Sequence, residues 1–133
     1  MRFLLMLVLI AGLIGVAAAL GLWKRPRTGR ELRPDQLRAM LGEDAPLIID
    51  VREPGEYAQG HIPGAVPFPL GGLANRLGEI PRDRPIVTVC LRGRRSRTAA
   101  AMLEKAGFAR VSSLAGGMSA WPYEVERTPD GGS

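Results

Sequence analysis

"PIVTVCLRGRRSRTAAAMLEKAG", residues 85–107, decides the fold. Its first six residues are a β-branched run that reads as a buried strand ending at Cys90. From Ser96 onward, Ala99, Met102, Leu103 and Ala106 recur at helical spacing, and Gly107 supplies a stop. The pattern predicts strand, short loop, helix, with the chain's single cysteine at the strand end.

Working outward, the same alternation repeats. "LIID" at 47–50 is a short apolar run after Pro46, which suits a strand of a parallel sheet. "GAVPF" at 64–68 is a weaker strand interrupted by Pro67, and "GLANRLGEI" at 72–80 reads as a short helix closed before Pro81. "RPDQLRAML" at 33–41 puts Pro34 at a first helical position and Leu37, Met40 and Leu41 on one face. "ARVSSL" at 109–114 gives a last strand. Strands alternating with helices over short connections predict an α/β fold with a mainly parallel sheet.

Arg92, Arg94, Arg95 and Arg97 follow Cys90 within seven residues. A structural cysteine sits among apolar neighbours and is inert, so this setting points to reactivity. A loop between strand and helix aims backbone N–H groups and a helix N-terminus at one place, and Gly93 lets the backbone turn sharply there. A unit charge at ~4 Å in a partly screened site is worth up to about 4 kcal/mol, against about 1.36 per pKa unit. The helix end and the guanidinium groups are therefore expected to lower the thiol's pKa, and the arginines to gather an anionic substrate.

The charge lies unevenly along the 133 residues. The net +5 sits on Arg2, Lys24, Arg25, Arg27 and Arg30, leaving the 13 acids balanced by as many bases from Glu31 onward. A nucleic-acid partner, which would need a basic stripe on the fold itself, is not expected. Residues 3–23 carry no charge, and as a helix they would span roughly 31 Å. With Trp23 and the basic cluster Lys24, Arg25, Arg27, Arg30 and Arg33 after it, this segment predicts a retained single-pass membrane helix with the remaining chain facing the cytoplasm. The competing reading is a signal peptide cleaved near Ala17-Ala18-Ala19. Ala11, Gly15 and Ala19 form a small-residue face suited to a weak homodimer. Residues 24–30 read as a juxtamembrane linker, 31–127 as the folded domain and 128–133 as a disordered tail.

Three ordered motifs then carry a resemblance. "DVREPGEYAQGHIPGAVPFPL" at 50–70, "CLRGRRS" at 90–96 and "LAGGMSAW" at 114–121 resemble the signatures of the single-domain rhodanese family, the thiosulfate sulfurtransferase-like domains. The resemblance runs from about Glu31 to Arg127. It implies a three-layer α/β domain with a five-stranded, mostly parallel sheet, here preceded by the membrane helix. It also implies that Cys90 accepts sulfur as a persulfide, within a substrate-binding loop of Leu91, Arg92, Gly93, Arg94, Arg95 and Ser96. Arg95 matches the family's loop arginine and is expected to brace the loop. Arg92 and Arg94 stand where many members carry small or polar residues, which favours a small anionic sulfur donor. The acceptor would be a thiol, cyanide in an assay, or a protein.

Asp50, Arg52 and Glu53 are expected to act structurally, as an ion-pair and hydrogen-bond set fixing the loops around Cys90. His61, the only histidine, is expected to satisfy backbone groups at a turn rather than to pair with the thiol. One Cys and one His cannot fill a metal site, and no cofactor-binding glycine pattern or serine elbow occurs. Two rival functions stay in view. A phosphatase or arsenate reductase of the same general fold would need C-x5-R, whereas Cys90 to Arg95 is C-x4-R. A persulfide carrier or docking module for a protein partner would use the same thiol with little turnover of free thiosulfate.

Overall fold

The computed structural model describes residues 30–129. Five strands, β1 (Glu31–Leu32), β2 (Leu47–Asp50), β3 (Val66–Pro67), β4 (Ile86–Val89) and β5 (Val111–Leu114), form one sheet in the order β1-β5-β4-β2-β3. Every strand pairing is parallel, with Asp50 beside Val89 and Thr88 beside Ser113. Four helices connect them: α1 (Pro34–Met40), α2 (Pro54–Gln59), α3 (Leu70–Leu73) and α4 (Arg94–Lys105).

Alternation along the strands builds two cores, one on each face of the sheet. Ile49 and Ile86 pack with Leu73 of α3 and with Ala99 and Leu103 of α4. Ile48, Val87 and Val89 point the other way, toward Leu37 of α1 and Trp121. Two strands buried on both faces explain why 47–50 and 86–89 read as continuous apolar runs. In α4 the buried residues Ser96, Ala99, Ala100 and Leu103 lie at i, i+3, i+4 and i+7, a single stripe against the sheet.

Local structure departs from the expected elements in physical detail. Helix α4 begins at Arg94, two residues before Ser96, because Gly93 takes a left-handed φ of 97° and caps it. Helix α1 buries Leu37, but Met40 is 39 % exposed, because the backbone turns extended at Leu41. The 72–80 segment breaks into α3 and a 3-10 turn at Leu77–Glu79, since Gly71, Gly72 and Gly78 are poor helix formers. Strand β3 is cut to two residues at the sheet edge, where Pro67 is tolerated. Strand β1 and helix α2 were not expected from local pattern. The first is two residues long, and the second starts with Pro54-Gly55, a pair that reads as a turn.

The membrane expectation is corrected. No helix among the described residues is long and apolar enough to cross a membrane. The longest, α4, has 12 residues, about 18 Å of rise against the roughly 30 Å of a bilayer core. The expected span at 3–23, its dimer face and most of the 24–30 linker lie outside the described residues. The described residues give no support to the preceding transmembrane helix, the membrane partner or the single-pass, cytoplasm-facing placement. At the other end, Arg127 Nε donates to Gln59 O at 3.1 Å and Thr128 N to Ala58 O at 3.1 Å, tying the chain to α2 beyond residue 127.

Candidate active site

From β2 the chain proceeds outward to β3, and from β4 it proceeds the opposite way to β5. The carboxyl ends of β2 and β4 therefore flank the point where strand order reverses, the usual ligand crevice of an open parallel sheet. Cys90 follows β4 there, and Asp50 ends β2.

The loop wraps the thiol. Gly93 N donates to Cys90 Sγ at 3.0 Å, and Ser96 Oγ lies 3.4 Å from the same sulfur. Ser96 Oγ also donates to Gly93 O at 3.0 Å, so the hydroxyl proton can serve either the carbonyl or a thiolate. Behind it, Thr88 Oγ1 donates to Ser96 O at 2.7 Å, pinning the first turn of α4 to β4. The carbonyls of Cys90 and Leu91 accept from Met118 N at 2.8 Å and Ser119 N at 2.9 Å. This ties them to the 3-10 turn Gly117–Ala120, away from the N–H groups that face the sulfur.

Cys90 is 1 % exposed. Burial pushes its thiol pKa up, but hydrogen bonds from the Ser96 hydroxyl and from the N–H groups of Ser96, Gly93 and Arg92 outweigh it. The thiol is held below the ordinary thiol range. Cradle hydrogen bonds lead here, the expected N–H groups of the strand–helix loop among them, and guanidinium charge is not among the causes that lower this thiol.

The four arginines separate by partner. Arg95 donates bidentately to Glu56, Nη1 to Oε1 at 2.8 Å and Nη2 to Oε2 at 3.0 Å, which holds the Glu56 carboxyl down at about 2. Arg97 pairs with Glu31 at 3.1 Å. Arg92 and Arg94 are exposed and, among the described residues, have no carboxylate partner. Beside them, Leu91 is 37 % exposed. The exposed rim of the loop that wraps the buried sulfur thus carries an apolar side chain and two cations with no carboxylate partner among the described residues.

The first motif lies next to the loop. Asp50 and Arg52 form a buried bidentate pair, with Nη2 to Oδ2 at 2.8 Å and Nε to Oδ1 at 3.0 Å. Arg52 Nη2 also donates to Gly60 O at 2.8 Å, closing the turn after α2. Glu53 caps α2, and its N–H donates to Glu56 Oε1 at 3.1 Å in a capping box. His61 lies apart from the sulfur. Its ring stacks on Tyr57 at 3.8 Å, Nδ1 meets Tyr57 O at 2.8 Å, and its backbone bridges to Glu126. No hydrogen bond joins His61 to Cys90 among the described residues.

The structure adds residues that sequence reasoning passed over. Glu56 links the first motif to the cysteine loop, and only the Glu53-x-x-Glu56 spacing could have singled it out. Gly116 and Gly117, inside the third motif, allow the 117–120 turn to lie against Cys90 and Leu91. Among the described residues no group of three His, Cys, Asp or Glu side chains is placed to hold a metal ion.

A buried, amide-cradled cysteine at the switch point of a five-stranded parallel sheet defines a class, the rhodanese-like domains, and residues 33–124 match that family's sequence model. The chain belongs to the rhodanese-like domain family. It is 45% identical over 75 residues to a sulfurtransferase of Allochromatium vinosum, covering 56% of this chain and 70% of that one. It is 36% identical over 92 residues to the thiosulfate sulfurtransferase GlpE of Pseudomonas entomophila, covering 69% and 84%. It is 42% identical to the putative sulfur carrier protein YrkF of Bacillus subtilis, covering 72% of this chain and 52% of that protein, about half its length. Among solved structures, a rhodanese-like domain protein from Staphylococcus aureus superposes with a TM-score of 0.68 at 32% identity, covering 74% of this chain and 98% of that one.

Proposed function

We propose that this protein is a sulfurtransferase that takes sulfane sulfur from thiosulfate or a similar small anionic donor and passes it to a thiol. The Cys90 thiolate attacks the outer sulfur of the donor; a new S–S bond forms, the old one breaks, and sulfite leaves with the bonding electron pair. The acceptor thiolate then attacks the outer sulfur of the Cys90 persulfide, taking that atom and restoring the Cys90 thiolate. Neither step needs a general base, in keeping with a thiol whose pKa is already lowered.

One observation carries the reading: Cys90 Sγ accepts the Gly93 N–H at 3.0 Å within a loop whose exposed Arg92 and Arg94 have no carboxylate partner among the described residues. The N–H groups stabilise the anionic sulfur before and after each transfer, and the free cations suit an anionic donor. The name of the Pseudomonas relative, a thiosulfate sulfurtransferase, points to the same donor. The test is thiocyanate formation from thiosulfate and cyanide. The parent chain should turn over and Cys90→Ser should not; equal rates would end the assignment.

A second reading rests on the likeness to the putative sulfur carrier YrkF. In it, the Cys90 persulfide waits for a protein thiol, and free thiosulfate turns over slowly. Stable +32 Da protein that discharges to a protein thiol faster than to cyanide would favour the carrier.

A further inference from the structure

We propose that Glu56 is a positioning residue for sulfur transfer, acting on Cys90 through Arg95 and the first turn of α4. Glu56 stands on α2, away from the cysteine loop in sequence, yet its carboxylate makes three hydrogen bonds that join the two. Oε1 accepts from Glu53 N at 3.1 Å and from Arg95 Nη1 at 2.8 Å, and Oε2 accepts from Arg95 Nη2 at 3.0 Å. Arg95 immediately precedes Ser96, whose hydroxyl lies 3.4 Å from Cys90 Sγ.

The first turn of α4 needs such a tether. It carries Arg94, Arg95 and Arg97 and no acid, where the helix dipole disfavours positive charge. Its cap, Gly93, offers no side-chain hydrogen bond. Three restraints from other elements remain: Thr88 Oγ1 on the Ser96 carbonyl, Glu56 on Arg95, and Glu31 on the more exposed Arg97. Thr88 fixes the turn against the sheet, and Glu56 fixes it against α2, whose start follows the buried Asp50–Arg52 pair. Two bonds in parallel planes set orientation as well as distance. With the tether gone, nothing sets the turn against α2, and Ser96 Oγ drifts from the sulfur.

This inference rests on the sulfur-transfer reading, and its test separates the two. Iodoacetamide alkylation of Cys90 against pH, on the full chain, reads the thiolate without any sulfur chemistry. Glu56→Gln keeps an acceptor for Glu53 N–H, so α2 stays capped while the ion pair is lost. Arg95→Gln breaks the same pair and leaves the cap untouched, which keeps the test sound should one variant fold poorly. Each should raise the alkylation midpoint by about one pH unit, the order expected for one weakened hydrogen bond to an anion. Each should lower kcat for transfer with little change in KM, and the double variant should be no worse than the more damaged single. A midpoint that stays or falls, or losses that add in the double variant, would overturn the role of Glu56. Absence of thiosulfate turnover in the parent would instead overturn the functional reading, with the alkylation result still deciding Glu56.

Discussion

A Cβ built on Gly117 would lie 2.6 Å from the carbonyl carbon of Leu91 and would also meet the Cys90 carbonyl oxygen. The third motif is thus packed directly against the backbone of the cysteine loop. Gly117 has φ +60°, so a side chain there would be strained as well as crowded. Gly117→Ala is expected to cost about 2–4 kcal/mol, left-handed strain plus overpacking. A thermal melt checks it. Gly42→Ala, at φ +124° with nothing within 4 Å, carries strain alone and should cost less.

The Ser96 hydroxyl should be visible in the pH profile of the thiol. It is the foremost of the hydrogen bonds that oppose burial at Cys90. Removing it raises the pKa, so Ser96→Ala should shift the acid limb of alkylation and of transfer toward higher pH. The variant's deficit should therefore close at high pH, grow as pH drops through the two pKa values, and level off below both, where each thiolate fraction falls about tenfold per pH unit. A parallel loss at every pH would mean that Ser96 serves only packing.

Asp50 and Arg52 are fully or nearly fully buried, which sets the sign of a different experiment. Asp50→Asn leaves a guanidinium in the interior without its counter-charge, a loss of about 3–5 kcal/mol for a broken buried pair. Chemical denaturation should show a lower midpoint. The exposed Arg33–Asp35 pair, by contrast, is solvated and screened, and Asp35→Asn should leave the midpoint nearly in place.

The rim arginines should act on donor capture. Arg92→Ala with Arg94→Ala should raise KM for thiosulfate and flatten its dependence on ionic strength, because the lost attraction is screened by salt. Arg97→Ala is the control, since that side chain is engaged by Glu31. An unchanged KM in the double variant across ionic strengths would show that the two cations do not meet the donor.

Much of this was legible in the chain because the deciding features are local. Residues 85–107 contain the central strand, the thiol, the glycine that caps α4 and the stripe that buries it. What was not legible depends on contacts between distant segments. Strand β1 is defined only by its pairing with β5, and two residues give no period. Glu56 and Arg95 lie 39 positions apart, and neither reveals its partner by spacing. The sequence named both the loop's N–H groups and its arginines as stabilisers of the thiolate, but could not rank them, for a related reason. Charge can be counted in a sequence, whereas the direction of the Arg92, Gly93 and Ser96 N–H groups comes from a backbone fold that carbonyl bonds to Met118 and Ser119 hold in place.

The central claim is that Cys90 carries the sulfur, and intact mass measures it most directly. Full-length chain would be incubated with thiosulfate, freed of excess donor and weighed before and after addition of cyanide. The expected result is a gain of about 32 Da, one sulfur atom added in the covalent step. It should localise to Cys90, be absent in Cys90→Ser and disappear with cyanide. A parent chain that stays at its own mass with every sulfane donor tried, or gains sulfur equally without Cys90, would contradict it.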